Sequence, residues 1–203
     1  FSPQAYPHPW FTRSSVGGHF GGELKRAGYD GLVVTGASET PVRICVRDDE
    51  VSILPAGDLW GLDALEALAS VEGRGVRSLA IGPAGERLSR IATIQAASSS
   101  ACGQGGFGAV MGAKRLKAIS VGGSGRVTLA RPETIVSIAR TLVRIFAEDG
   151  RAGPMNFYGD IEALNRRLAA AGDGTAVCRA CTDACITPCV ARFRDVPGVV
   201  FDR

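Results

Sequence analysis

Cys178, Cys181, Cys185 and Cys189 fall within one twelve-residue stretch. Thiolates are soft ligands for iron and zinc, and a two-residue gap lets neighbouring thiolates reach adjacent irons of one cubane. The spacing, Cys-x-x-Cys-x-x-x-Cys with a further cysteine four residues on, points first to an iron–sulfur cluster and to a chain that carries electrons. Structural zinc is the rival. Such sites pair one Cys-x-x-Cys knuckle with a second knuckle or a His pair at a distance, and the two histidines, His8 and His19, lie far upstream in Gly/Pro-rich sequence. A disulfide framework comes third, because six cysteines in 203 residues, four of them clustered, do not resemble a stapled secreted domain. Cys45 sits in an apolar, strand-like run and reads as a small core hydrophobe.

Two glycine clusters are the next residues that could do chemistry. They are Ser14-Ser15-Val16-Gly17-Gly18-His19-Phe20-Gly21-Gly22 and Ser98-Ser99-Ser100-Ala101-Cys102-Gly103-Gln104-Gly105-Gly106-Phe107-Gly108. Glycine admits positive φ and lets backbone touch a ligand, so such loops can present N–H groups to phosphate or line a flat cofactor. The plainer reading is tight turns between strands. Neither cluster spells a dinucleotide or P-loop pattern, and Lys114 is followed by Arg115 where a P-loop needs Ser or Thr. Two similar serine-preceded loops separated by a β-rich block suggest a pseudo-repeat gripping two copies of one ligand.

The elements that must position these groups change character near residue 125. Before it, runs at 31–36, 42–47, 51–54, 76–81 and 117–121 read as strands. Helices are few there: one over 61–71, with Leu62, Leu65, Leu68 and Ala69 on one face, and a short one over 108–116. After Gly122-Gly123-Ser124-Gly125, which reads as a linker, the period becomes helical. Pro132 stands just inside a start, and Ile135, Ile138, Ala139, Leu142 and Ile145 form a stripe. A second helix is expected at about 160–170, before the turn Gly172-Asp173-Gly174. The fold class is therefore α+β, with a β-rich domain over 1–125 and the beginning of a helical domain with the cysteine loop over 126–203.

A hydrophobic content of 45% is ample for a core. The net charge of +3 is small and dispersed, which argues against nucleic acid. No segment approaches a membrane span and the first residues lack signal-peptide character, so no membrane partner is expected and clustered thiols suggest a reducing cytoplasm. The chain starts without Met and stops at Phe201-Asp202-Arg203 without a closing helix pattern, which reads as a piece of something longer. Glu23, Asp30 and Glu86 read as turn, cap or surface carboxylates, and Lys25 and Arg26 as solvated. No catalytic acid or base is named.

The run Gly17-Gly18-His19-Phe20-Gly21-Gly22-Glu23-Leu24-Lys25-Arg26-Ala27-Gly28-Tyr29-Asp30-Gly31 is followed by Leu59-Trp60-Gly61, Ile81-Gly82-Pro83-Ala84-Gly85-Glu86 and Gly105-Gly106-Phe107-Gly108-Ala109-Val110-Met111-Gly112-Ala113-Lys114. In that order they resemble the tungsten-containing aldehyde ferredoxin oxidoreductase family, as part of its N-terminal pterin-binding domain and the start of its helical region. The resemblance implies tungsten, or molybdenum, held by two pterins beside a 4Fe-4S cluster. It assigns Cys178, Cys181 and Cys185 as cluster ligands, with the fourth ligand far downstream and Cys189 a bystander. It assigns Ser15 and Gly17 to the first pterin loop, and Ser100, Ala101, Gly103 and Gln104 to the second. The family often has Asn at the position of Ser15, and commonly has arginines at those of Ser100 and Gln104, so two guanidinium forks for pterin phosphates are replaced here.

The implied activity is oxidation of an aldehyde to a carboxylic acid, or a related two-electron reaction on an acyl-type substrate, with electrons leaving through the cluster to ferredoxin or an electron-transfer subunit. A homodimer or a complementing polypeptide would complete the site. Two other readings stay open: a non-catalytic iron–sulfur electron-transfer or assembly subunit, and a zinc-stabilised interaction module. A visible band that bleaches with dithionite separates the cluster readings from zinc.

Overall fold

A computed structural model describes residues 11–97, 100–148, 174–177 and 190–193. The chain divides into two compact units, Phe1–Thr128 and Leu129–Arg203.

In the first unit the elements run α1 (Phe20–Arg26), β1 (Val42–Arg47), β2 (Glu50–Pro55), α2 (Ala64–Val71), β3 (Arg77–Ala80), α3 (Pro83–Glu86), β4 (Ile94–Ala97), β5 (Ser100–Cys102), α4 (Phe107–Ala113) and β6 (Leu116–Gly122). The six strands form one mixed sheet in the order β2-β1-β6-β3-β4-β5, in which β1 and β6 are parallel and the other pairs antiparallel. The α+β expectation holds for this unit. β1 and β2 are joined by a two-residue turn, Asp48-Asp49, in which Asp48 takes φ 49° as a tight hairpin turn requires. Asp48 Oδ1 accepts a 2.7 Å bond from Ser124 N, which holds its carboxyl below the usual range.

β6 occupies the middle of the sheet, and six of its seven residues are buried. Its apolar side chains join clusters that include Val46 with Val121, Ala80 with Ala118, and Ile81 with Met111 and Leu116. Its polar ones are paired. Ser78 Oγ and Ser120 Oγ lie 2.9 Å apart on directly opposed residues of β3 and β6. Lys117 is fully buried; its Nζ donates to Glu86 Oε1 at 2.6 Å and to the Leu62 carbonyl at 2.7 Å. Both Glu86 oxygens accept from Gly61 N at 3.0 Å. A buried ammonium needs such partners, because water is no longer there to solvate it.

The two short helices α3 and α4 meet backbone to backbone. A Cβ on Gly85 would stand 2.9 Å from the Gly108 carbonyl oxygen, and one on Gly112 would collide with the Gly85 carbonyl. Pro83 opens α3 at a position where its missing N–H costs nothing.

Several expectations need correction. The run 31–36 pairs with no strand; Leu32 and Val34 instead pack on core clusters while Val33 is 92% exposed. The helix expected over 61–71 begins at Ala64. Asp63 caps it through Leu65 N and Glu66 N in a capping box; the inward face is 64/67/68/71, with Ala67 and Leu68 packed on Ala80 and Ala118, and Leu65 and Ala69 point outward. The helix expected over 108–116 stops at Ala113, since Arg115 at φ 54° turns the chain into β6. Among the described residues four helices occur before residue 125; α1 and α3 lie inside glycine-rich sequence that reads as turns. Gly122-Gly123-Ser124-Gly125 is no free linker: a Cβ on Gly123 would collide with the backbone at Arg26 and Ala27, and Gly123 N donates to Glu23 Oε2. Glu86 is no surface carboxylate, with only 6% of its side chain exposed. Lys25 pairs with Asp30, and Arg26 with Glu23 at 3.0 Å. Cys45 lies half-buried on β1.

In the second unit α5 (Pro132–Glu148) starts at the expected proline, and Ile135, Ile138, Leu142 and Ile145 of its stripe are exposed among the described residues. Strands β7 (Gly174–Val177) and β8 (Val190–Phe193) pair antiparallel, with Val177 opposite Val190. The helix expected at 160–170 and the cysteines at 178, 181, 185 and 189 lie outside the described residues.

The buried pair sets a test. Glu86→Ala strands the Lys117 charge and is expected to cost about 3–5 kcal/mol of unfolding free energy. The double variant Glu86→Leu/Lys117→Met is expected to cost less than the sum of its single changes by about 1 kcal/mol or more. Urea denaturation followed by circular dichroism measures both, and strict additivity would remove the pair as a coupled unit.

Candidate cofactor-binding site

The first glycine cluster begins beside the second. The segment leading into α1 runs antiparallel to the stretch that contains β5. Thr12 Cγ2 stands 3.1 Å from where a Cβ on Gly105 would be, Ser14 Oγ accepts from Gln104 N at 3.3 Å, and a Cβ on Gly17 would meet Ser100 Oγ at 3.1 Å. Each cluster then turns into a helix that opens on a phenylalanine, Phe20 for α1 and Phe107 for α4. Glycine is required at these turns, because Gly18, Gly105 and Gly106 have φ of 94°, 90° and 64°. The likeness does not extend further. β5 leads into the second loop, no described strand precedes the first, α4 is largely buried, and α1 has no buried residue except at its cap. All six strands belong to one sheet without a duplicated order, so no internal repeat is visible.

Between the loops lies an open cleft of about 690 Å3, lined by Phe11, Thr12, Arg13, Ser14, Ser15, Gly103 and Gln104. Its size falls in the range of about 300–1,000 Å3 usual for small-molecule sites. Of the residues singled out from sequence, Ser15, Gly103 and Gln104 line this cleft. Gly17 and Ser100 meet each other beside it, and Ala101 sits on β5 opposite Gln95. An ideal Cβ on Gly103 touches nothing within 4 Å, so the protein's own packing does not call for glycine there; the freed space belongs to the cleft. Phe11, Thr12, Arg13 and Ser14 were not singled out as site residues. Their one signal is position, directly before the Gly17-Gly18 turn.

Beneath the second loop, Cys102 is buried against Ser14. Burial pushes its thiol above the ordinary value, and the Ser14 hydrogen bond only partly offsets this, so the group keeps its proton at neutral pH and is no nucleophile. The described lining side chains include no His, Asp or Glu. They can bind and orient a ligand through hydroxyl, amide, guanidinium and backbone groups. Among the described residues no three His, Cys, Asp or Glu side chains gather as a metal site, and no helix is long and apolar enough to cross a membrane. The thiols assigned to a cluster stand in the segment between β7 and β8, whose ends the Val177/Val190 pairing brings to one place.

A plate-like cofactor with phosphate groups fits this arrangement: the cleft is open, its floor residue Gly103 has no side chain, and its rim offers hydroxyls and one guanidinium.

Comparison with known proteins agrees with the sequence resemblance. A sequence profile described as "Aldehyde ferredoxin oxidoreductase, N-terminal domain" matches residues 2–123. The tungsten-containing aldehyde ferredoxin oxidoreductase of Pyrococcus furiosus is 40% identical over 148 residues, which is 71% of this chain and 24% of that protein. That of Thermococcus kodakarensis is 41% identical over the same shares. The chain thus spans about a quarter of the length of these curated relatives. Among solved structures, the active-site complex BamBC of benzoyl coenzyme A reductase, bound to 1,5-dienoyl-CoA, superposes with a TM-score of 0.64 at 32% identity, covering 71% of this chain and 22% of that one. The cleft and its two glycine loops lie inside the matched segment, and the chain belongs to the aldehyde ferredoxin oxidoreductase family, whose N-terminal domain it carries.

Proposed function

We propose that this chain is the pterin-holding part of a tungsten, or molybdenum, oxidoreductase of the aldehyde ferredoxin oxidoreductase type, which oxidises aldehydes to carboxylic acids. The observation that carries this reading is the meeting of the two glycine loops at one open cleft within the family's N-terminal domain. Ser15, Gly17, Ser100, Ala101, Gly103 and Gln104 are the residues that would hold the bis-pterin, and Cys178, Cys181 and Cys185 would hold a 4Fe-4S cluster. Bound there, the metal–pterin group supplies a two-electron redox couple and the cluster a one-electron outlet toward ferredoxin or an electron-transfer subunit. The chain's own part is positioning. Gly103 leaves room for a flat ring system, the Ser14–Gln104 bond ties the loops together, and the buried Cys102 stays protonated and inert. A setting in the cytoplasm suits the clustered thiols.

The likeness to the benzoyl coenzyme A reductase complex favours a second reading, in which the substrate is an acyl-CoA thioester reduced rather than an aldehyde oxidised. That relative is a complex, and another, 35% identical over 128 residues, is a subunit of an aliphatic sulfonate oxidoreductase from Pyrococcus furiosus. Both support a complementing polypeptide. The full-length protein that carries this chain, purified without oxygen, tests the function through metal analysis and dye-coupled assays. Tungsten with aldehyde oxidation supports the first reading, dienoyl-CoA turnover the second, and zinc without tungsten or iron refutes both.

In the same protein, serine at Cys178, Cys181 or Cys185 is expected to remove most of the iron and the visible absorption, whereas Cys189→Ser keeps both. Equal iron loss at all four positions would make Cys189 a ligand.

Gly103→Ala is expected to leave the melting temperature within about 2 °C, since its Cβ meets no protein atom and its φ is ordinary. Pterin and tungsten content should fall several-fold. Gly17→Ala, whose Cβ meets a rotatable hydroxyl, is expected to behave alike with a slightly larger thermal cost. Full cofactor content in both variants would reduce the loops to ordinary turns.

A further inference from the structure

The cleft between the glycine loops carries a positive charge that no described carboxylate pairs with. Among the described lining residues Arg13 alone is charged, and none is a carboxylate. The side chain is exposed, and among the described residues it makes no ion pair. A guanidinium left open at the rim of a cleft, beside the Ser14 and Ser15 hydroxyls, presents a planar fork of donors that matches a phosphate group. Ser100 and Gln104 of the second loop bring no charge there.

We propose that Arg13 is the phosphate anchor of this site, gripping the phosphate ester of the bound pterin from the first loop. The assignment rests on the pterin reading above and deepens it. Gln104 lines the same cleft from the opposite loop, so an arginine placed there can reach the same volume. The anchor is thus exchangeable between the loops.

The test uses the full-length protein and reads cofactor retention rather than turnover. Wild type, Arg13→Ala, Arg13→Lys and the double variant Arg13→Ala/Gln104→Arg are passed through gel filtration with and without inorganic phosphate as competitor. Retained pterin is measured by fluorescence after oxidation, with thermal unfolding as a check on the fold. Arg13→Ala is expected to release pterin roughly tenfold faster, as loss of one charge-assisted pair implies. Arg13→Lys should fall between, because a point charge lacks the fork. The double variant should regain retention, and added phosphate should speed release from wild type but not from Arg13→Ala. Free phosphate that leaves wild-type retention unchanged, or full retention in Arg13→Ala, overturns the anchor while leaving the pterin reading standing. Wild-type protein that holds no pterin overturns both together.

Discussion

The first unit is organised around one buried charge. Lys117 sits in the central strand with no water to solvate it, so its ammonium must find oxygen, and it finds Glu86 and the Leu62 carbonyl. Because Glu86 also accepts from Gly61 N, one side-chain pair ties the middle of the sheet to α3 and to the turn that precedes α2. An apolar pair could fill the same volume, but it would not demand that these three elements meet in a single register. The position of α3 then dictates that of α4, because Gly85, Gly108 and Gly112 allow the two helices to touch along their backbones. The start of α4 in turn sets where the second glycine loop enters the cleft. A charge several residues away from the site thereby orients it.

The cleft itself shows a division of labour. Its conformational demands are met by glycines at positive φ, at 18, 105 and 106, while the surface offered to a ligand combines hydroxyl, amide and guanidinium groups with the exposed Phe11 ring. Buried below, the Cys102 thiol is kept neutral by desolvation. The walls therefore hold little reactive chemistry of their own, which is the character of a site that binds a group bringing its reactivity with it.

The parts legible in the sequence were those with short-range signals. β1 is bounded as its apolar run suggests, and α5 begins at Pro132. The two glycine clusters are recognisable from residue type alone, and the order of motifs carried the family. What escaped notice depends on tertiary contact. The run 31–36 has strand-like composition but joins no strand, its Leu32 and Val34 packing on core clusters instead, and the inward face of α2 is set by Ala80 and Ala118, against which Ala67 and Leu68 pack. Glu86 looks like a surface acid until Lys117, 31 residues later, is folded over it. Gly122 to Gly125 look like a hinge until α1 lies against them. A lone arginine such as Arg13 has no sequence pattern; only the cleft around it gives it meaning.

β6 is the last strand of its unit in sequence and the middle one in space. Its parallel partner β1 precedes it by some seventy residues, with Val46 opposite Val121. During synthesis the β1–β2 hairpin and α2 can form as soon as they emerge, but the two halves of the sheet have nothing to join them until 116–122 arrives. Until then the edges of β1 and β3 stand open, and contacts of such long sequence separation close slowly. The chain thus depends on a late, central insertion, and a nascent product cut short before residue 116 would consist of two sheet fragments with exposed edges, a natural target for chaperones or proteases.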